Sequence, residues 1–370
     1  MEQKSKHTAR GLLRWVGAGL AALAILLTGV QSVSVPTAAA AALPVQRGTQ
    51  EAAECFAVGR TVVPVGRAVG IKLFSDGVLV VGLSPVETKA GEKNPGRDCG
   101  LKTGDVITHI DGDEVDTIEQ IQALVTSHAE KPLTIQAMRG ERQVQLTAAA
   151  VCNRQGVYQL GVWLRDSMAG IGTMTFYDPV SGAFAALGHG VNDVDTAMLM
   201  PLETGSIMEA KVSDVKRGTS GEPGELHGEF DLSRNLGTLS ANTERGVFGR
   251  LSKSGMDGSG QVMEIAPSGE VCVGDAVIRS NVRGSEVEEF SVKITHLCGA
   301  GEKTRNLMIQ VTDPKLLEIT GGIVQGMSGS PIIQKGRIVG AVTHVLVNDP
   351  TRGYGIFIEN MLEAAGGGNG

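Results

Sequence analysis

After residue 69 this chain is built from short apolar runs divided by glycine-rich polar breaks. "GIKLFSDGVLVVGLSPV" carries two β-rich runs around Asp76-Gly77, a turn signal. "DVITHID" alternates as a strand, and Asp111-Gly112 turns the chain. "TIEQIQALVTSHA" changes the period: Ile118, Ile121, Leu124 and Val125 fall on one helical face, with Thr117 as its cap. "LTIQAMR" and "QVQLTAAAV" then flank "RGER" as a hairpin. Beyond Cys152 the runs continue as "VYQLGVWLRD", "GTMTFYDP", "GAFAALGHGV", "RGVFGRL", "FSVKITHL", "LMIQVTD" and "RIVGAVTHVLV". Turn signals recur every ~8–12 residues, which predicts an all-β barrel or sandwich, and the length suits a double barrel. "YGIFIENMLEAA" reads as a last strand running into a short helix, followed by a flexible "GGGNG" tail.

The N-terminus departs from this pattern. Lys4, Lys6, Arg10 and Arg14 precede an apolar stretch from Val16 to Val30 and then the small-residue run "SVPTAAAAALP". Basic start, short apolar core and small-residue zone describe an export signal, which "QSVSV" could lengthen into a retained anchor. Either way the body works outside the cytoplasm. Composition adds three constraints. At 370 residues the chain has room for about two domains, and 51 glycines with only 4% aromatics fit strands and tight turns better than a helical bundle. A net charge of −7 with no basic stripe in the body argues against nucleic acid as a partner. None of the five cysteines forms a CxxC pair, so no structural zinc is expected, and a Cys272–Cys298 bridge stays open.

The candidate chemistry lies in "GMSGSPII", Gly326 to Ile333. A serine attacks only if a base takes its proton and donors hold the oxyanion. Glycines on either side of Ser328 permit a sharp turn that exposes its hydroxyl and aims the Gly326 and Ser328 N–H groups at one point. Pro331 then opens a hairpin that turns at Gly336. For the base, His189 in "ALGHGVNDVDT" has flanking glycines and a polar loop after it, while His344 is the rival on the hairpin itself. For the acid, the residues leave Asp178, Asp193, Asp195 and Asp313 open.

Three resemblances sharpen this reading. "GVLVVGL", "CGLKTGDVITHIDGDEV" and the helix over 117–128 resemble a bacterial PDZ domain. That resemblance implies a groove for peptide tails, with Gly77, Val78, Leu79 and Val80 on its floor and Leu124 or Val125 as its wall. "GMSGSPIIQKGRIVGAVTH" resembles the nucleophile turn and hairpin of chymotrypsin-like serine peptidases, which makes Ser328 the nucleophile and Ser330 a bystander. The order of segments is narrower still: export signal, PDZ-like region, "ALGHGVNDVDT", "KRGTSGEPGEL", "NTERGVFG" and "VTDPKLLEITGGIVQGMSGSPI" resemble the stage IV sporulation protein B peptidases.

The last resemblance implies a His189, Asp313 and Ser328 triad, Gly326 and Ser328 as the oxyanion hole, and no metal or cofactor. It also implies a role. Such a peptidase is exported into the space between forespore and mother cell and cleaves itself. It then cleaves a membrane-bound regulator of an intramembrane metalloprotease, so that a sigma factor matures. The expected fold is therefore mainly β, divided into a signal or anchor over 1–42, a linker over 43–68, a PDZ domain over 69–150, a double-barrel peptidase over 151–365 and a tail over 366–370. The rival readings are a general envelope quality-control protease and a non-catalytic PDZ binding protein.

Overall fold

The computed structural model describes residues 61–256, 260–299 and 301–365. The expected signal or anchor, the first part of the linker and the tail lie outside the described residues. In chain order the main strands are β1 (Thr61–Pro64), β2 (Ala68–Leu83), β3 (Asp105–Ile110), β4 (Pro132–Arg139), β5 (Arg142–Ala149), β6 (Val162–Tyr177), β7 (Ala183–Ala186) and β8 (Thr204–Lys216). They continue as β9 (Glu225–Thr243), β10 (Gly246–Leu251), β11 (Gly274–Ser280), β12 (Glu288–Leu297), β13 (Leu307–Val311), β14 (Pro331–Gln334), β15 (Arg337–Leu346) and β16 (Asp349–Phe357). The helices used below are α1 (Ile118–His128), α2 (Pro314–Thr320) and α3 (Ile358–Ala365).

Two rings of antiparallel strands follow from the pairing. β2, β6, β7, β10, β9 and β8 pair in that order, and β8 returns to β2. β11, β12, β13, β16, β15 and β14 close a second barrel. Closure leaves the strands no open edge within the rings and requires inward residues to fill each interior. Leu73, Phe184, Ile207 and Val247 fill the first barrel, while Phe290, Leu307, Ile309 and Val342 fill the second. Helix α3 packs against both barrels: Ile358 and Met361 share a core with Phe176 and Phe248 of the first and Ala341 and Ile356 of the second. The hairpin read from the sequence is present, with Lys335 and Gly336 at positive φ between β14 and β15.

The third core belongs to a smaller domain built on the outer halves of two barrel strands. β2 and β6 are each 16 residues long. Their inner halves pair within the first barrel; their outer halves, Leu79–Leu83 and Val162–Arg165, pair with each other as they join β3, β4 and β5. Val80, Ile107, Ile110, Ile121, Val125 and Leu133 form the core of this domain with α1. The expected boundaries at 68/69 and 150/151 therefore give way. Residues 61–64 and 68–74 are strands paired with β6, and the small domain is inserted between two strands of the first barrel.

Asp76-Gly77 does not turn the chain back, because β6 stays paired with β2 on both sides of it. The register shifts between Phe74 and Leu79, and Gly77 takes φ +79° within this bulge, its N–H donating to Asp116 Oδ1 at 3.0 Å. Helix α1 begins with a capping box: Thr117 accepts from the Gln120 N–H while the Gln120 side chain accepts from the Thr117 N–H. The four described cysteines are free thiols, so Cys272 and Cys298 are not bridged.

One buried charge anchors the small domain. Asp105 is fully buried and accepts from Arg139 Nε and Nη2, both at 2.7 Å, and from the Lys102 N–H at 2.9 Å. Replacing Asp105 with Ala strips a charge-assisted pair and should lower stability by about 2 kcal/mol. Chemical denaturation read by circular dichroism measures this; a loss below ~0.5 kcal/mol would show that the pair is not structural.

Candidate active site

Ser328 sits on the turn that enters β14, and this turn is held by the opposite barrel. Thr173, a buried residue of β6, donates its hydroxyl to the Gly326 carbonyl at 2.7 Å and its N–H to the Ser328 carbonyl at 3.0 Å. The approach is so close that a Cβ on Gly329 would lie 2.0 Å from the Thr173 oxygen, and Gly329 also sits at φ +99°. Only glycine fits there. The Met327 and Gly329 N–H groups are taken by Val324 and Val342. Those of Gly326 and Ser328 have no partner among the described residues. Both residues line a cavity of about 480 Å³ between the barrels, so two free donors flank the Ser328 hydroxyl. Ser330, by contrast, is completely buried. At rest the Ser328 hydroxyl donates to the Thr343 carbonyl at 2.6 Å.

His189 follows β7 and lines the same cavity. Its Nδ1 lies 2.8 Å from the Gly190 carbonyl. A carbonyl only accepts, so Nδ1 carries the proton and Nε2 is left with its lone pair. Burial pushes the imidazole below its ordinary pKa, opposed by the Gly190 hydrogen bond, so the ring is held neutral. The loop around it is pinned by Asn242, whose side chain accepts from the Val191 N–H and donates to the Val191 and Met200 carbonyls. His344 stands beside it, with ring centroids 5.0 Å apart. Burial lowers His344 to about 4, with smaller contributions from any protonation of His189 and from Arg305.

None of the four candidate acids reaches His189. Asp313 caps α2, accepting from the Lys315 and Leu316 N–H groups and, through its other oxygen, from the Ser291 N–H. His344 faces Tyr354, which faces Met308, and Asp313 follows Met308 by five residues. β13 ends at Val311, so Asp313 stands two residues beyond the strand, at the α2 cap. The structure thus brings His189 and Ser328 to one cavity and leaves Asp313 at a helix N-terminus. Asp193 is buried, but it accepts from Arg165 and from the Asp195 and Thr196 N–H groups. Asp195 also pairs with Arg165, at 2.7 Å, and Asp178 holds its own turn through Val180 and Ser181. The partner of His189 Nδ1 is instead the Gly190 carbonyl. Among the described residues no cluster of three or more His, Cys, Asp or Glu is placed to hold a metal ion.

The peptide groove also differs from expectation. Val78, Leu79 and Val80 are fully buried, and β2 is paired with β3 on one side and β6 on the other. Gly77 lies in the bulge, Val125 is in the core and Leu124 packs against it. A strand with both sides occupied cannot accept a peptide. Across Val162–Arg165, however, β6 pairs only with β2 among the described residues. α1 lies beside this stretch, its Ile118 N–H bonded to Asp166 Oδ2 at 2.9 Å and its Gln122 side chain to the Tyr158 carbonyl at 3.2 Å. The strand edge left unpaired beside α1 is therefore that of β6, not β2.

Comparison with known proteins places this geometry. A family model described as SpoIVB peptidase S55 matches residues 156–362. The chain belongs to the SpoIVB peptidase S55 family. A PDZ-domain model matches residues 88–138, within the inserted domain, so this S55 member is a serine peptidase carrying a PDZ domain. No curated protein matches the chain. Among solved structures, the active form of the Rv3671c protease from M. tuberculosis is 14% identical, covering 55% of this chain and 76% of that one, with a TM-score of 0.31. The PDZ domain of the SdrC-like protein Lmo2051 from Listeria monocytogenes is 24% identical, covering 24% of this chain and 87% of that one, with a TM-score of 0.20.

Two outcomes test the S55 site as described. A general base must be neutral, and the lowered pKa of His189 means that protonation removes it only at lower pH. The acid limb of kcat/KM should therefore fall below the ordinary imidazole value of about 6.5; a midpoint at or above that value would reveal an anionic partner. Asn caps helices as well as Asp, so Asp313→Asn should keep kcat within a few-fold. A fall of ~10⁴, the size expected for loss of a triad acid, would mean that Asp313 orients His189.

Proposed function

We propose that this peptidase is an exported signalling enzyme of sporulation. It cleaves itself and then cuts a membrane-bound regulator, releasing an intramembrane metalloprotease and so allowing a sigma factor to mature. Membership of the S55 family supports this role, as do the basic, apolar and small-residue segments of the N-terminus. The PDZ domain supplies a way to hold the tails of its targets, itself included. The place of action is the space between forespore and mother cell.

The reaction is acyl transfer by Ser328. Its hydroxyl rotates from the Thr343 carbonyl to His189 Nε2, which takes the proton as Oγ bonds to the peptide carbonyl carbon. The carbonyl oxygen becomes an oxyanion between the Gly326 and Ser328 N–H groups, each such donor worth about 3–4 kcal/mol. His189 returns the proton to the leaving amine, and water repeats the cycle on the ester. Throughout, the Gly190 carbonyl keeps the proton on Nδ1. The observation that carries this reading is the pair of unpartnered amides beside Ser328, in the cavity that His189 also lines.

Expression of the full chain tests it. Ser328→Ala should remain full-length while the wild type processes itself, and Ser330→Ala should still be processed. Processing of Ser328→Ala at the wild-type rate would end the serine-peptidase assignment at this residue. With purified target membranes, a few defined cuts are expected; broad degradation of unfolded proteins would instead mark a quality-control protease.

A further inference from the structure

We infer that the residue on the acyl side of the cut bond is uncharged and apolar, aliphatic or aromatic. The inference rests on the peptidase reading above and adds its substrate class. With the carbonyl oxygen at the Gly326 and Ser328 amides, the side chain one bond beyond that carbonyl enters the cavity these residues line. Beside Ser328 its walls are Ile323, Val324, Val345 and Val347 from the second barrel, and Met168 and Ile171 of β6 face them from the first. Among the described residues no Asp, Glu, Lys or Arg lines this space. Its titratable side chains are His189 and His344, both biased to the neutral form by burial. Glu244, Glu302 and Arg305 line a separate polar cavity that shares the two histidines.

A charged side chain placed here would lose its hydration and meet no counter-ion, whereas an apolar one would leave water for an apolar wall. The shape sets no single residue. About 480 Å³ takes a leucine, methionine or phenylalanine without crowding, so the selection is by polarity more than by size.

Digestion of a proteome-derived peptide library by the full chain, with cut sites read by mass spectrometry, tests this directly. Leu, Ile, Val, Met and Phe should be enriched on the acyl side, and Lys, Arg, Asp and Glu depleted at least ~10-fold. Val345→Asp puts a carboxylate on the wall and should raise cleavage after Lys and Arg relative to Leu. A fluorophosphonate probe applied in parallel separates the two readings. Labelling at Ser328 with cuts mainly after charged residues would overturn the substrate class and leave the peptidase standing. Neither labelling nor cutting would overturn both.

Discussion

The antiparallel pairing of β2 with β6 is the constraint on which the rest of the molecule depends. Its backbone bonds run from the first barrel into the inserted domain, interrupted only by bulges. The outer half of β6 offers the free edge beside α1; its middle, Met168 to Ile171, lines the cavity that holds Ser328; and Thr173 clamps the nucleophile turn through two hydrogen bonds. One strand thus carries an edge unpaired among the described residues, part of the cavity wall and the hydrogen bonds that hold the Ser328 turn. Within the barrel this strand cannot shift without breaking a ladder on each side, so these features share one frame.

The site itself is assembled across the two barrels. The first contributes His189 and Thr173; the second contributes Ser328 and its amides. What the barrels do not bring to His189 is a carboxylate. The acid of a triad fixes the imidazole tautomer and stabilises the imidazolium. The Gly190 carbonyl performs the first task at 2.8 Å but carries no formal charge for the second. Burial further disfavours the protonated ring. The Ser328 hydroxyl donates to the Thr343 carbonyl in this arrangement.

Much of this was legible because it is local. The glycine spacing around Ser328, the hairpin after Pro331, the capped helix at Thr117 and the glycine-flanked His189 each depend on neighbours a few residues away. What the sequence hid depends on partners far along the chain. Asp76-Gly77 reads as a turn unless it is known that β6, some ninety residues later, stays paired on both sides of it. Val78 to Val80 resemble a groove floor because buried and peptide-lining strands use the same residues; only the pairing shows which edge is free. Asp313 sits at a motif-like distance from Ser328, yet an aspartate before Pro-Lys-Leu-Leu is also a sound N-cap, and here it is one. Thr173 gives no signal at all, since threonine is ordinary in a strand.

The central claim is that the Gly326 and Ser328 amides, held in place by Thr173, receive the oxyanion while a backbone carbonyl orients His189. A crystal structure of the covalent adduct with a peptidyl phosphonate tests it most directly. The account predicts phosphorus on Ser328 Oγ, the phosphonyl oxygen within hydrogen-bond reach of both amides, both Thr173 bonds intact, and His189 Nδ1 still on Gly190. A phosphonyl oxygen turned away from these amides, or an aspartate carboxylate on Nδ1, would contradict it.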